Sequence, residues 1–235
     1  MTALADSTWP EVATAAGTGA VLVVPLGSTE QHGPHLPLTT DTDIAVAIAR
    51  EASARRPRLV VAPPVAYGSS GEHDGFAGTL SIGQEATELV LVELGRSATA
   101  QFDRVIVVSA HGGNAAPLAR AVSRLADEGR AVEAWWPKWG GDLHAGRTET
   151  SLMLAIAPER VDLDRAEVGD TRSLATLLPV LEEQGVRSVS PNGVLGDPSG
   201  ADAAEGRRLL DRAVDDLVSW FDTLQRMATT GGRRT

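Results

Sequence analysis

Short apolar runs alternate with amphipathic stretches along almost the whole chain. Residues 20–26 form a β-branched run closed by Gly27 and predict a buried strand. Residues 40–55 predict a helix with Asp41 and Asp43 in its first turn, where carboxylates complement the positive end of the helix dipole. A second strand is expected over 58–62, between Pro57 and Pro63-Pro64. Leu89, Val92, Leu94 and Ala98 fall at helical spacing and predict a helix over 84–102. The run R-V-I-V-V-S-A at 104–110 predicts a strand, followed by a helix over 115–128 and a short strand near 131–135. Helices are expected over 148–157, ending at Pro158, and near 173–183. The last is expected over 201–226, where Leu209, Leu210, Ala213, Val214, Leu217, Val218 and Phe221 lie on one stripe.

Strand, loop and helix alternate throughout, which predicts an α/β three-layer sandwich: a mostly parallel sheet with helices on both faces. Residues 1–228 read as one domain and 229–235 as a frayed tail. The Gly-rich stretch 67–83 reads as an ordered loop crossing a site, because long loops in compact domains are usually functional. Sheets of this kind bind ligands beyond the carboxyl ends of their strands. Glu30, His32 and His111 each follow a predicted strand, so one sheet edge should gather them.

Composition narrows the chemistry. Among 235 residues, 21 Lys and Arg face 31 Asp and Glu, a net charge of −10, and aromatics are only 4%. Such a chain repels phosphate backbones and offers little surface for stacking bases, so nucleic acid is excluded as a partner. The absence of cysteine excludes disulfides, thiolate catalysis and thiol-bound zinc. No apolar run approaches the ~18 residues a membrane helix needs. The start of the chain has neither a basic region nor an apolar segment, so no signal peptide and a cytoplasmic location are expected.

Candidate ligands sit in the predicted turns. Glu30, His32 and Asp41 lie in G-S-T-E-Q-H-G-P-H-L-P-L-T-T-D, His111 in S-A-H-G-G-N, and Glu149 in H-A-G-R-T-E-T-S. Carboxylate and imidazole without thiolate suit zinc, iron or manganese. Asp41 can bridge two ions through its two oxygens, and Glu30, Asp41 and Glu149 supply the negative charge that two dications require. Taken singly, Asp41 could be a helix cap and each histidine a buried structural group; their concentration in Gly-rich turns favours a metal site. His144 is a candidate general acid or base, since its ordinary pKa suits proton transfer near neutrality. His73, Gly112, Gly113 and Asn114 are candidate substrate contacts; His73, with Glu72 and Asp74, is alternatively structural, Gly112-Gly113 a tight strand-to-helix turn and Asn114 a helix cap. His35, between Pro34 and Pro37, is expected to brace the ligand loop. Trp135, Trp136 and Trp139 could wall a pocket, or belong to the core or to a subunit interface.

These three segments resemble the signatures of the creatininase family of metal-dependent amidohydrolases, and the likeness runs from Val21 into the last helix. The resemblance implies an α/β fold and two divalent ions per subunit, zinc and/or iron and possibly manganese. It also implies amide hydrolysis and a homo-oligomer of six or eight subunits. Glu30, His32, Asp41 and His111 match the family's ligands, His144 its catalytic histidine, and Glu149 the acid of its E-T-S motif. Members that hydrolyse creatinine carry an aromatic and a metal-binding acidic residue where this chain has Gly112 and Gly113, and a substrate-covering tryptophan where it has Gly140. Glu149 is therefore the expected replacement ligand, and loss of bulk at Gly112-Gly113 suggests a roomier site. The segments A-Y-G-S-S-G-E-H-D-G-F-A-G-T-L-S-I-G and G-V-L-G-D-P-S-G-A-D-A-A-E-G-R-R resemble a branch that removes the C-terminal Val-Tyr-derived residues of a modified ribosomal precursor peptide. The alternatives are an amidase for a cyclic amide or formamide, and a non-catalytic metal-binding assembly protein.

Overall fold

The computed structural model describes residues 3–231. Four parallel strands, β1 (Val21–Leu26), β2 (Leu59–Val61), β3 (Arg104–Ser109) and β4 (Val132–Trp135), form one sheet in the order β2-β1-β3-β4. Valine dominates these strands because β-branched side chains fit a pleat buried on both faces.

Successive side chains of the strands point to opposite faces, and each face has its own helix layer. Val21, Val23, Leu59, Ile106 and Val108 pack under α2 (Thr40–Arg55), α5 (Arg147–Ile156) and α7 (Ala203–Gly231). Leu22, Val24, Val60, Val105 and Val107 pack under α1 (Trp9–Gly17), α3 (Gly83–Ala98) and α4 (Ala115–Asp127). Each fully buried Val, Leu or Ile contributes ~1.5–3 kcal/mol, so the two apolar layers fix the helices on the sheet whose parallel strands end at one edge. The last helix in the set, α6 (Leu174–Gln184), covers a small satellite cluster of Leu177, Val186 and Leu195.

The sequence expectations differ from this picture in three places. Helix α1 was not expected, because Val12, Ala15 and Ala16 make only a weak stripe. It starts at Thr8, whose amide and hydroxyl both donate to Glu11 Oε2 at 2.7 Å, a reciprocal cap. Helix α3 ends at Ala98, four residues before the expected end, and Phe102 turns into the core instead. The expected tail over 229–235 begins as helix, since α7 runs to Gly231; the rest of it lies outside the described residues.

Helix α7 packs against both α2 and α5. Gly206 allows the approach to α5, since a Cβ there would collide with the Ser151 carbonyl. Toward α2, Arg207 bonds Glu51 at 2.8 and 2.5 Å, and Arg56 bonds Asp222 at 2.9 and 2.6 Å. Among the described residues, no helix is long and apolar enough to cross a membrane.

Candidate metal centre

The loop after β1 and the first turns of α2 and α5 meet at the carboxyl ends of the strands. The β1 loop turns back on itself, with the Glu30 amide donating to the Leu38 carbonyl at 3.0 Å. That fold buries Glu30 and His32 completely. Asp41 and Glu149 enter from the first turns of their helices, and His111 follows β3 directly. His35 braces the assembly, its Nε2 lying 2.9 Å from Thr150 Oγ1 on α5.

All five expected ligands converge. His111 Nε2 is 3.2 Å from Glu30 Oε2, and His111 Nδ1 is 3.4 Å from Asp41 Oδ2. His32 Nε2 is 3.3 Å from Asp41 Oδ1 and 3.9 Å from Glu149 Oε2. Asp41 thus turns one oxygen to each imidazole, and Ser28 Oγ donates to Oδ2 at 2.6 Å to fix its rotation. Ligands bound at ~2.1 Å around a tetrahedral or octahedral ion stand about 3.0–3.4 Å apart, the spacing seen around Asp41. Three overlapping groups able to hold an ion result among the described residues, Glu30–Asp41–His111, His32–His144–Glu149 and Glu30–His73–His144.

One observation tests the fit. Both carboxylate oxygens of Glu30 are buried, form no well-aligned hydrogen bond, and face only imidazole nitrogens at 3.2–3.8 Å. Burying an ionised carboxylate without a partner costs several kcal/mol. A dication among Glu30, Asp41 and His111 removes that cost, so the residues fit the ion that their chemistry suggests.

The electrostatics agree. Burial alone would lower His32, but Asp41, Glu149 and Glu30 outweigh it and raise its pKa to about 10. His111 is raised well above its ordinary value, burial again being outweighed, here by Glu30, Asp41 and Glu72. Burial acts to raise Asp41, yet His32, His111 and the Ser28 hydroxyl hold it below the usual carboxylate range. Glu149 rises to about 7 through burial and the nearby Asp41 and Glu30. The cluster therefore attracts positive charge. His144 goes the other way: burial, with His32 and His73 beside it, pushes it well below its ordinary value. Its Nε2 lies 2.8 Å from the Gln31 carbonyl, which can only accept, so Nε2 carries the proton and Nδ1 the lone pair.

A cleft of about 220 Å³ opens beside these groups, walled by His111, Gly112, Trp136, Trp139, His144 and Glu149 among others. Trp135 is separate, buried under α7 as part of the core, so the three tryptophans divide between both readings.

The expected substrate contacts fare differently. Gly112 faces open space on the cleft wall. Gly113 does not, because a Cβ there would strike the Ser69 carbonyl, Glu72 Oε1 and His111 Nε2. The room expected at Gly113 is filled by Glu72, whose Oε1 is 3.5 Å from His111 Nε2 and whose pKa is raised by burial. Asn114 is fully buried and does not reach the cleft; its Oδ1 accepts from the Ser69 amide at 2.9 Å and its Nδ2 donates to the Gly27 carbonyl at 2.9 Å. His73 also lies behind the cleft, with Nε2 3.3 Å from Glu30 Oε1. The sequence marks no role for Ser28 or Gln31, although both stand inside the first ligand motif, and groups Glu72 only with His73 as pocket-lining or structural.

A parallel α/β sheet whose strand ends gather two buried carboxylates, a partly buried third and paired imidazoles around a cleft defines a metal-dependent hydrolase. The chain belongs to the creatininase family, whose model, creatinine amidohydrolase, matches residues 5–221. It is 51% identical over 224 residues to the mycofactocin precursor peptide peptidase of Mycobacterium ulcerans (strain Agy99), covering 91% of this chain and 85% of that one. Its fold matches a crystal structure of creatinine amidohydrolase with a TM-score of 0.81 at 22% identity, covering 94% of this chain and 97% of the other. A solved chain named creatininase Mn superposes with a TM-score of 0.76 at 22% identity, covering 93% and 96%.

Proposed function

We propose that this chain is a two-metal amidohydrolase that removes the C-terminal Val-Tyr-derived residues of the modified mycofactocin precursor peptide. The observation that carries the hydrolase reading is Asp41, turned with one oxygen to each of two ligand clusters beside an open cleft. The substrate reading is supported by half-identity to relatives named for that peptidase. Glu30, Asp41 and His111 would hold one ion, and His32, Asp41 and Glu149 the other. Zinc, iron or both suit these donors, with manganese the remaining candidate. Such ions, when bound, polarise a carbonyl and lower the pKa of water.

The chain's own residues supply the rest. His144 Nδ1, unprotonated and 3.8 Å from Glu30 Oε1, accepts the proton that leaves the attacking water. As the C–O bond forms and the C–N bond breaks, the same nitrogen returns that proton to the departing amine. Trp136 and Trp139 form an apolar wall that limits water around the scissile bond, and the bare backbone of Gly112 leaves space for a peptide end. A cytoplasmic location, where a ribosomal peptide is made, completes the reading. So does a homo-oligomer, hexamer or octamer, supported by exposed apolar side chains at Leu80, Leu89 and Leu94.

The test is mass spectrometry of the modified precursor after incubation with zinc- or iron-loaded protein. Loss of the last two residues is expected. An intact peptide, with turnover of a cyclic amide or formamide, would move the assignment to a small-molecule amidase.

A further inference from the structure

We propose that Gln31 is a positioning residue that sets which ring nitrogen carries the proton on both His73 and His144. The proposal rests on the reading of Glu30 as a ligand and His144 as a base. Gln31 stands between Glu30 and His32 and is 5% exposed. Its amide has one allowed orientation. Oε1 accepts from the Gly33 amide at 2.8 Å, while Nε2 donates to the Gly193 carbonyl at 3.0 Å. Turning the amide over would set donor against donor at Gly33 and acceptor against acceptor at Gly193.

One amide hydrogen remains on Nε2, with two imidazole nitrogens in reach: His73 Nδ1 at 2.8 Å and His144 Nε2 at 3.1 Å. His144 Nε2 already donates to the Gln31 carbonyl, so it has no lone pair to offer. The hydrogen therefore goes to His73 Nδ1. A buried neutral imidazole that accepts at Nδ1 carries its proton on Nε2. That nitrogen faces Glu30 Oε1 at 3.3 Å.

The consequence separates the two histidines. Glu30, His73 and His144 lie close enough to hold an ion together. With its proton on Nε2, His73 is a donor beside Glu30 and is removed from ligation. His144 keeps its Nδ1 lone pair facing the centre. One residue, through its backbone carbonyl and its side-chain amide, thus keeps a base a base and makes its neighbour a donor.

The experiment uses the full chain, labelled with ¹⁵N at histidine and loaded with zinc alone. Long-range proton–nitrogen spectra distinguish protonated from bare ring nitrogens, and His73→Phe and His144→Phe assign the signals among the five histidines. Both rings are expected to carry the proton on Nε2. Gln31→Glu presents only acceptors, so His73 should shift its proton to Nδ1. A proton on Nδ1 of His73 in the unaltered protein overturns the proposal. So does a Gln31→Glu protein in which His73 keeps its proton on Nε2. If that variant does not fold, the spectrum of the unaltered chain decides alone. No substrate is present in either measurement, so the outcome is independent of which amide the enzyme cleaves.

Discussion

Loading metal into this centre should expel protons, and their number can be worked out from the structure. Without metal, His32 titrates at about 10 and His111 well above its ordinary range, so both are cationic at pH 7. Each must surrender a proton before its lone pair can bind an ion. Glu149, at about 7, is half protonated there and releases part of a third. Asp41, held below the usual carboxylate range, releases none. Filling both sites at pH 7 should therefore free about two to three protons per chain. The sign follows: protons compete with metal, so affinity rises with pH until His32 is itself deprotonated near 10. Lowering the pH from 7 to 6 should weaken the summed binding of both ions ~100-fold or more. The assay is calorimetric titration of zinc into metal-free protein in buffers of different ionisation enthalpy, whose slope counts the protons. A count of one or none would refute the reasoning, because ions would then bind without displacing imidazolium protons.

Four substitutions probe the rest of the site. Asp41→Ala should reduce metal content at both sites, where Glu149→Gln should lose one ion and keep the other; elemental analysis reads both, and a Glu149→Gln crystal with two full ions would contradict the assignment. His144→Ala should keep its metals and lose turnover by ~10²–10⁴-fold, whereas loss of metal would make His144 a ligand. Gly113→Ala should cost ~1–3 kcal/mol in urea unfolding through overpacking against Ser69, Glu72 and His111, and a neutral result would mean that the Ser69 backbone and the His111 ring give way along with Glu72.

Much of this was legible in the sequence because the relevant information is local. The strands of the sheet announce themselves by β-branched runs, and Asp41 and Glu149 by their place in the first turn of a periodic segment. The parallel sheet then puts the loop ends at one edge, which is why Glu30, His32 and His111 could be grouped from 80 positions apart. What escaped depends on side-chain direction across loops. Asn114 reads as a cap or a contact until its amide is seen bonding both the Gly27 and Ser69 backbones. His73 reads as pocket-lining or structural because its loop crosses the site, and its contacts with Glu30 and the Gln31 amide place it behind the ligand. Glu72 occupies space vacated by a glycine 41 positions away, a relation that no periodicity encodes. Helix α1 escaped for another reason: its start is set by a Thr8–Glu11 cap, whereas its apolar stripe is too thin to register.

Every proposed ligand lies before residue 150, yet the geometry between two of them is set beyond residue 200. Helix α7 donates nothing to the centre. It packs on α2, which carries Asp41, and on α5, which carries Glu149, meeting the second through a glycine that leaves no slack. It acts as a caliper on the gap between the two carboxylates. A fragment ending after α5 would contain the full ligand list and still not be a metal protein. The smallest working unit of this enzyme is defined by the part that measures the site, not by the last residue that touches it.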